Sequence, residues 1–135
     1  MGSNRSKANR IRIVAGLVTD AENRVLLVRK RNTNAFMQPG GKAEPNETEI
    51  ETLQREILEE LGCEIDKHTA RYEGRFIEEA ANEPGFEVEA VIYRVQLCGS
   101  PEVQSEIAEM VWLPTSNPEG LRLAPLTENC VLPLV

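Results

Sequence analysis

The chain has 135 residues, the length of one compact domain, and its 41% apolar and 27% charged residues are typical of a globular protein. Its net charge is −7, from 22 acidic and 15 basic residues, whereas a protein that binds duplex nucleic acid or an anionic membrane usually carries a basic surface. Because no apolar run is long enough to span a bilayer either, we expect a single domain over residues 11–135 that binds no nucleic acid duplex and no membrane.

The N-terminal part of the chain predicts a disordered start followed by a β-hairpin. Residues 1–10 are polar and basic, and they contain no apolar stretch that would indicate a secretory signal. Residues 11–19 and 24–29 are rich in β-branched and other apolar residues, which predicts two strands. The turn-forming residues 20–23 between them predict that the two strands pair with each other.

A helix is the most regular element that the sequence predicts. It follows a loop without periodicity, residues 30–46, which contains Gly40 and Gly41. Asn46 is the predicted N-cap, with Glu49 as its capping-box partner, and Gly62 is the predicted C-terminal end. Apolar residues at helical spacing form one stripe: Ile50, Leu53, Ile57 and Leu61.

Strand patterns dominate the remainder of the chain. Residues 71–80 and 86–97 flank a break at residues 82–85 and predict a second hairpin around Pro84-Gly85. A further strand is predicted over residues 108–113, and residues 127–132 predict one or two helical turns that Pro133 ends. Strands combined with two helices in one short chain indicate an α/β sandwich with a mixed sheet.

Cysteine and histidine usage argues against several kinds of site. Cys63, Cys98 and Cys130 are odd in number and widely spaced, so we expect neither a disulfide framework nor a zinc site, and a cytoplasmic location fits best. The single histidine, His68, has no catalytic motif near it and is interpreted as a surface residue near a helix end.

Three glutamates of the predicted helix form one acidic patch. Glu56 and Glu60 lie one turn apart and Glu59 flanks them, so all three are expected to point away from the apolar stripe. Carboxylates this close repel each other, and a hard divalent cation such as Mg²⁺ or Mn²⁺ would reverse that repulsion. The alternative is an ordinary solvated acidic face with Arg55 as a surface ion pair.

The segment from Gly41 to Cys63 favours the first interpretation, because it is similar to the Nudix box. That box reads G-x5-E-x7-R-E-U-x-E-E-x-G-U, where U is a bulky aliphatic residue. Seven fixed residues, each used at about one in fifteen, give a chance match on the order of 10⁻⁸ per starting position. The one departure is Cys63 in the last aliphatic position, where cysteine can pack as a small hydrophobe. The matching residues are Gly41, Glu47, Arg55, Glu56, Ile57, Glu59, Glu60 and Gly62.

This resemblance to the Nudix hydrolase family, and to its MutT-like members, implies a Nudix-type α/β/α sandwich and a set of site residues. Glu56, Glu59 and Glu60 are implied to bind Mg²⁺ or Mn²⁺, and Gly40 is placed with them. Arg55 and Glu47 are implied to orient these carboxylates for catalysis, together with Glu59 itself.

A further carboxylate is expected from the loop six residues before Trp112. That residue is Glu106, and we assign it as an additional metal ligand or as the base that activates water. Glu109 is the alternative.

The reaction that the resemblance implies is cleavage of a phosphoanhydride bond in a nucleoside diphosphate linked to another group. The short chain favours a nucleoside triphosphate, cleaved to a monophosphate and pyrophosphate. Alternatives are an ADP-ribose or other nucleotide-conjugate pyrophosphatase, and a non-catalytic nucleotide-binding module. The partner is thus a small nucleotide, and the protein is expected to be a monomer or homodimer.

Candidate substrate contacts come from cations and aromatic residues that are not among the fixed positions of the box. Arg29 and Lys42 are predicted to contact phosphates, and Phe36 is predicted to stack on a base, with Phe86 as the alternative. Asn129 is a weaker candidate for base recognition, because the residues around it do not align well with MutT-like proteins.

Overall fold

The computed structural model describes residues 9–135. Residues 1–8, which the sequence predicts to be disordered, lie outside the described part of the chain. The first strand begins at Arg10, one residue earlier than expected. The strands are β1 (Arg10–Leu17), β2 (Val25–Lys30), β3 (Gly40–Gly41), β4 (Glu64–Glu79), β5 (Glu87–Cys98) and β6 (Ile107–Leu113), and the helix α1 is Glu49–Leu61.

Four strands form a mixed sheet in the order β3-β1-β5-β4. β1 runs parallel to β5, from the pair Arg10–Glu87 to the pair Leu17–Arg94, whereas β3 and β4 pair antiparallel with their neighbours. A second, two-stranded antiparallel sheet consists of β2 and β6. The predicted α/β sandwich with a mixed sheet is therefore confirmed.

The hairpin predicted for the first two strands is wrong, because β1 and β2 belong to different sheets. Beyond the end of β1, the chain meets the start of β2 around the turn, through a bridge between Thr19 and Val25, a bond from Leu26 N–H to Val18 O at 2.9 Å and one from Asp20 N–H to Arg24 O at 3.0 Å. Residues 14–18 and 25–28 are buried without interruption. These parts of the two strands are therefore covered on both faces, which stacking in two layers achieves. The second predicted hairpin, β4–β5, is confirmed, and Phe86 N–H donates to Glu83 O at its turn.

Helix α1 begins two residues later than predicted. Thr48 is the N-cap: its hydroxyl accepts the Glu51 N–H, and the Glu51 side chain accepts the Thr48 N–H. This is a complete capping box, and it outcompetes Asn46, which lies in the turn before the helix with φ +69°. Glu47 consequently precedes the helix instead of lying in its first turn. Gly62 ends the helix in the left-handed conformation, as predicted.

Two hydrophobic cores lie on opposite sides of the strands. α1 covers the first, and it packs so closely on β1 that a Cβ at Gly16 would be 3.3 Å from Ile57 Cδ1. The C-terminal segment covers the second with a π-helical turn, Thr127–Val131, and a 3₁₀ turn, Leu132–Leu134. Pro133 does not end the helical structure as predicted, because it lies within the 3₁₀ turn, where proline is tolerated.

Cys63 is 8% exposed and packs in the first core, as expected of a small hydrophobe. His68 is exposed, but on strand β4. No helix within residues 9–135 is long and apolar enough to cross a bilayer.

Candidate active site

The three helix glutamates occupy different environments, which corrects the expectation that all of them face away from the core. The side chain of Glu59 is 54% exposed and that of Glu56 16%. Glu60 is only 7% exposed, and its carboxyl group accepts the N–H of Gly40, the first residue of β3, at 3.2 Å. The acidic patch therefore lines a cleft between α1 and residues 105–107, and it is not a solvated helix face.

Burial is the main reason that the pKa of Glu60 rises to about 8. The charges of Glu56 and Glu59 raise it further, whereas Lys30 and the Gly40 N–H lower it. Without a bound cation, the Glu60 carboxyl is therefore largely protonated at neutral pH. A bound cation supplies the missing positive charge and favours the carboxylate.

Arg55 holds two of the box carboxylates in place. It forms a fork with Glu47, through Nε to Oε2 at 2.7 Å and Nη2 to Oε1 at 2.9 Å. Its Nη1 donates to Glu56 Oε2 at 2.8 Å, and its Nη2 also donates to Lys42 O at 2.9 Å. The Arg55 hydrogen bonds are the main reason that the pKa of Glu47 falls to about 2. Arg55 thus links the loop before the helix to a carboxylate of the cleft.

Two glycines let the loop approach these carboxylates. Gly40 has φ +154°, and a Cβ there would collide with Val14 O and lie 2.6 Å from Ala15 Cα. A Cβ at Gly41 would overlap the Glu56 carboxyl group, lying 2.5 Å from its Oε1. Gly40 therefore allows the backbone to adopt this conformation against β1, whereas Gly41 leaves room for the Glu56 side chain.

Glu106 lies at the same cleft as the helix glutamates. The cleft has a volume of about 210 Å³. It is lined by Lys30, Glu56, Glu59, Glu60, Ser105, Glu106 and Ile107. Glu109, the alternative to Glu106, instead pairs with Arg29 across β2 and β6, with Arg29 Nε donating to Glu109 Oε1 at 2.8 Å. The structure thus brings Glu106, and not Glu109, to the helix glutamates.

A larger and more apolar cavity adjoins the acidic cleft. Its volume is about 370 Å³, and it shares Lys30 and Glu56 with the cleft. Lys42 and Gln38 also line it. The apolar side chains of its lining include Ile11, Ile13, Met37, Val88, Ala124 and Leu126. A ligand with an apolar, flat part and a polyanionic part could therefore occupy both spaces at once.

The carboxylate oxygens of the cleft are the ligand type that a hard divalent cation prefers, although they are not arranged as a complete coordination site. Within residues 9–135, no three acidic, histidine or cysteine side chains converge closely enough to hold a metal ion. The protein's own donors explain this, since Arg55 holds Glu56 and the Gly40 N–H holds Glu60. Four carboxylates at one open cleft still offer only oxygen ligands, which Mg²⁺ and Mn²⁺ prefer.

Comparison with known proteins agrees with this arrangement. A family model for the NUDIX domain matches residues 9–129. The chain belongs to the Nudix family.

Individual Nudix relatives point to the MutT-like branch. Over 64 residues, the chain is 36% identical to the 8-oxo-dGTP diphosphatase of Proteus vulgaris, a match that covers 44% of this chain and 57% of that relative. The solution structure of the E. coli ORF135 protein is similar with a TM-score of 0.69 and 25% identity, covering 89% of this chain and 84% of that one. The MutT protein from Methanosarcina mazei Go1 shares the fold, with a TM-score of 0.69, 23% identity and coverage of 87% and 86%.

Several substrate contacts predicted outside the Nudix box occupy other surroundings. Arg29 is engaged with Glu109 and with Thr33 O. Phe36 is 7% exposed and packs in the second core, so a stacking role for it does not fit. Phe86 is exposed and lines neither the cleft nor the cavity, although residues 79–83 at the same turn line the cavity.

Sequence reasoning missed Lys30 and Gln38 of this Nudix site. Lys30 lines both the cleft and the cavity, whereas the neighbouring Arg29 was predicted instead. Residues 25–28 are all apolar and buried, so the sequence of β2 does not alternate between apolar and polar residues. Without that alternation, the sequence does not show which face of the strand Arg29 or Lys30 occupies. Asn129 was considered for base recognition, but its Nδ2 donates to Glu78 Oε2 at 3.2 Å.

Proposed function

We propose that the protein is a metal-dependent pyrophosphohydrolase that cleaves a nucleoside triphosphate to a nucleoside monophosphate and pyrophosphate. The observation that carries this proposal is the junction of the two spaces at Lys30 and Glu56. A nucleoside in the apolar cavity would place its phosphate chain at the acidic cleft. The net charge of −7 does not oppose this, because the cation and the cleft lysine offset the charge of the phosphates.

Glu56, Glu59 and Glu60 would hold the Mg²⁺ or Mn²⁺ ion, with Gly40 beside them. When bound, the ion supplies positive charge that stabilises the phosphates in the transition state and makes water more acidic. Arg55, anchored by Glu47, keeps Glu56 in place before the ion arrives. Lys42 lines the cavity near its junction with the cleft and would contact the phosphates together with Lys30.

Glu106 is the proposed general base. It accepts a proton as the oxygen of water bonds to phosphorus and the bond to the leaving pyrophosphate oxygen breaks. Its exposed position beside Glu59 and Glu60 leaves it room to take the proton and pass it to solvent. The alternative, Glu109, is tied to Arg29 across β2 and β6 and does not line the cleft.

The triphosphate class is supported by the name of the Proteus vulgaris relative, which is an 8-oxo-dGTP diphosphatase. That match covers 57% of the relative, so the oxidised nucleotide itself is a substrate to be tested and the activity is a proposal for this chain. A monomeric or dimeric state and a cytoplasmic location also stay predictions.

The decisive experiment is a substrate panel with Mg²⁺ and product separation by chromatography. The panel contains the common nucleoside triphosphates, 8-oxo-dGTP, ADP-ribose, a nucleotide sugar and a dinucleoside polyphosphate. We expect monophosphate and pyrophosphate from a triphosphate, and loss of turnover in Glu59→Gln and Glu60→Gln. Glu119→Gln, an exposed glutamate in a distant turn, is the matched control and should keep wild-type turnover.

Other outcomes would redirect the assignment. Turnover of ADP-ribose alone would support the nucleotide-conjugate alternative. Nucleotide binding without any product would indicate a non-catalytic binding module. Undiminished turnover in both glutamine variants, or in excess chelator, would refute the proposed site.

A further inference from the structure

Gln38 carries a buried hydrogen-bond donor that the protein itself leaves without a partner. The residue is 5% exposed. Its Oε1 accepts from Thr127 Oγ1 at 3.2 Å, whereas its Nε2 has no hydrogen-bond partner within residues 9–135. An unpaired buried donor destabilises a fold, so such a group requires an explanation.

The position of Gln38 supplies one. The residue lines the cavity of about 370 Å³, where the neighbouring side chains of Met37, Ala124 and Leu126 are apolar. The polar and charged side chains that also line it are those of Lys30, Lys42, Glu56, Glu79, Asn82 and Glu83. In a largely apolar cavity a few placed polar groups determine how a ligand is oriented, and Gln38 is the one whose buried donor has no partner among the described residues.

The backbone around Gln38 is firmly held. Met37 and Val28 exchange two backbone hydrogen bonds, of 2.8 and 2.9 Å, and Gly16 N–H donates to Pro39 O at 2.9 Å. The carboxamide therefore projects from a fixed point, and only its side-chain torsions need to adjust to a ligand. The terminal torsion of glutamine is broad and soft, so the carboxamide can turn Nε2 toward a ligand. The same rotation moves Oε1, so it exchanges the Thr127 hydrogen bond for the one to the ligand.

We propose that Gln38 determines base specificity by donating from Nε2 to a carbonyl oxygen of the substrate base. This inference rests on the proposed function, because it requires the base in the cavity while the phosphates lie in the cleft. The favoured substrates are nucleoside triphosphates whose base presents an oxo group at this point. If the base carries an amino group at this point, two hydrogen-bond donors face each other and neither has an acceptor, so such a substrate is disfavoured.

Two pairs of nucleotides probe this contact, because each pair exchanges one oxo group for one amino group, while the adjacent ring nitrogen changes from donor to acceptor. They are ITP against ATP and UTP against CTP. With Mg²⁺, we expect wild-type kcat/KM to favour the oxo member of at least one pair by about tenfold, which corresponds to one hydrogen bond. Gln38→Met keeps the length and removes the donor, and should bring that ratio close to one. Gln96→Met, on the exposed face of β5, is the matched control and should retain the wild-type ratio.

A second variant separates specificity from stability. Gln38→Met removes the acceptor of the buried Thr127 hydroxyl, so Gln38→Met/Thr127→Val replaces both polar partners by apolar groups of similar shape. We expect its melting temperature to equal or exceed that of the wild type, while the oxo-to-amino ratio stays close to one. A purely structural Gln38 would instead lower the melting temperature and leave the ratio unchanged.

The outcomes distinguish this inference from the proposed function. If the wild type hydrolyses no nucleoside triphosphate, 8-oxo-dGTP included, the proposed function fails and the inference falls with it. If it hydrolyses other triphosphates but none of these four, the proposed function stands and the inference is overturned. If it hydrolyses these four but shows no oxo preference, or if Gln38→Met keeps the preference, the proposed function stands and the inference alone is overturned.

Discussion

The substitution Gly41→Ala tests whether the loop and Glu56 act as one unit. A Cβ at Gly41 would lie 2.5 Å from Glu56 Oε1, whereas ordinary contact begins at 3.4 Å, so the carboxylate must withdraw by about 0.9 Å. A misplacement of about 1 Å in a catalytic site lowers the rate on the order of 100-fold. Gly41 does not need a left-handed backbone, so the variant should still fold.

The assay is kcat/KM for the best triphosphate of the panel with saturating Mg²⁺, together with the melting temperature. We expect a loss of about 100-fold with a melting temperature close to that of the wild type. A double-mutant cycle provides the control: in a Glu56→Gln background, Gly41→Ala should cost less than about threefold, because the carboxylate that it displaces is already gone.

Two results would refute this reasoning. Gly41→Ala with wild-type activity would show that the position of Glu56 is not critical. Equal losses in the two backgrounds would show that the substitution acts through another group.

Three further predictions concern other parts of the molecule. Gly40→Ala should lower the free energy of unfolding by about 2–4 kcal/mol in a denaturant titration, because its φ of +154° and its contact with β1 strain any side chain; an unchanged midpoint would contradict this backbone path. Glu106→Gln should lower kcat by about 100-fold or more with little change in nucleotide binding, whereas Glu109→Gln should stay close to wild type, and the reverse order would exchange their roles. Glu89 is held mainly by Arg75, whose hydrogen bond lowers the Glu89 pKa. The stability advantage of the wild type over Glu89→Gln should therefore be present at pH 7 and shrink as the pH falls below about 4, where the carboxylate takes up a proton; an advantage independent of pH would contradict this.

Local patterns explain why the helix and its glutamates could be predicted from the sequence. The stripe that contains Leu53, Ile57 and Leu61 repeats at helical spacing, and these three side chains are fully buried as expected. Glu56, Glu59 and Glu60 lie on one helix, so their proximity follows from that spacing alone. The start of the helix was missed by two residues because two capping signals overlap, and Thr48 with Glu51 completes the stronger one.

Long-range pairing explains what could not be predicted. Residues 14–18 and 25–28 are buried on both faces, and a continuous apolar run carries no information about which strand lies beside it. The parallel pairing of β1 with β5 joins residues that are far apart in the sequence. The arrangement of the two sheets determines where three side chains lie, and no local sequence pattern reveals their positions. They are Lys30 and Gln38 at the site and Phe36 in the core.

The central claim is that the cleft between α1 and residues 105–107 binds a divalent cation through its glutamates. The most direct test is a titration with Mn²⁺, in which free Mn²⁺ is measured by electron paramagnetic resonance in wild type, in Glu56→Gln/Glu60→Gln and in Glu119→Gln. We predict saturable binding to the wild type and to Glu119→Gln, and its loss in the double variant. No binding to the wild type, or equal binding to all three proteins, would contradict the claim.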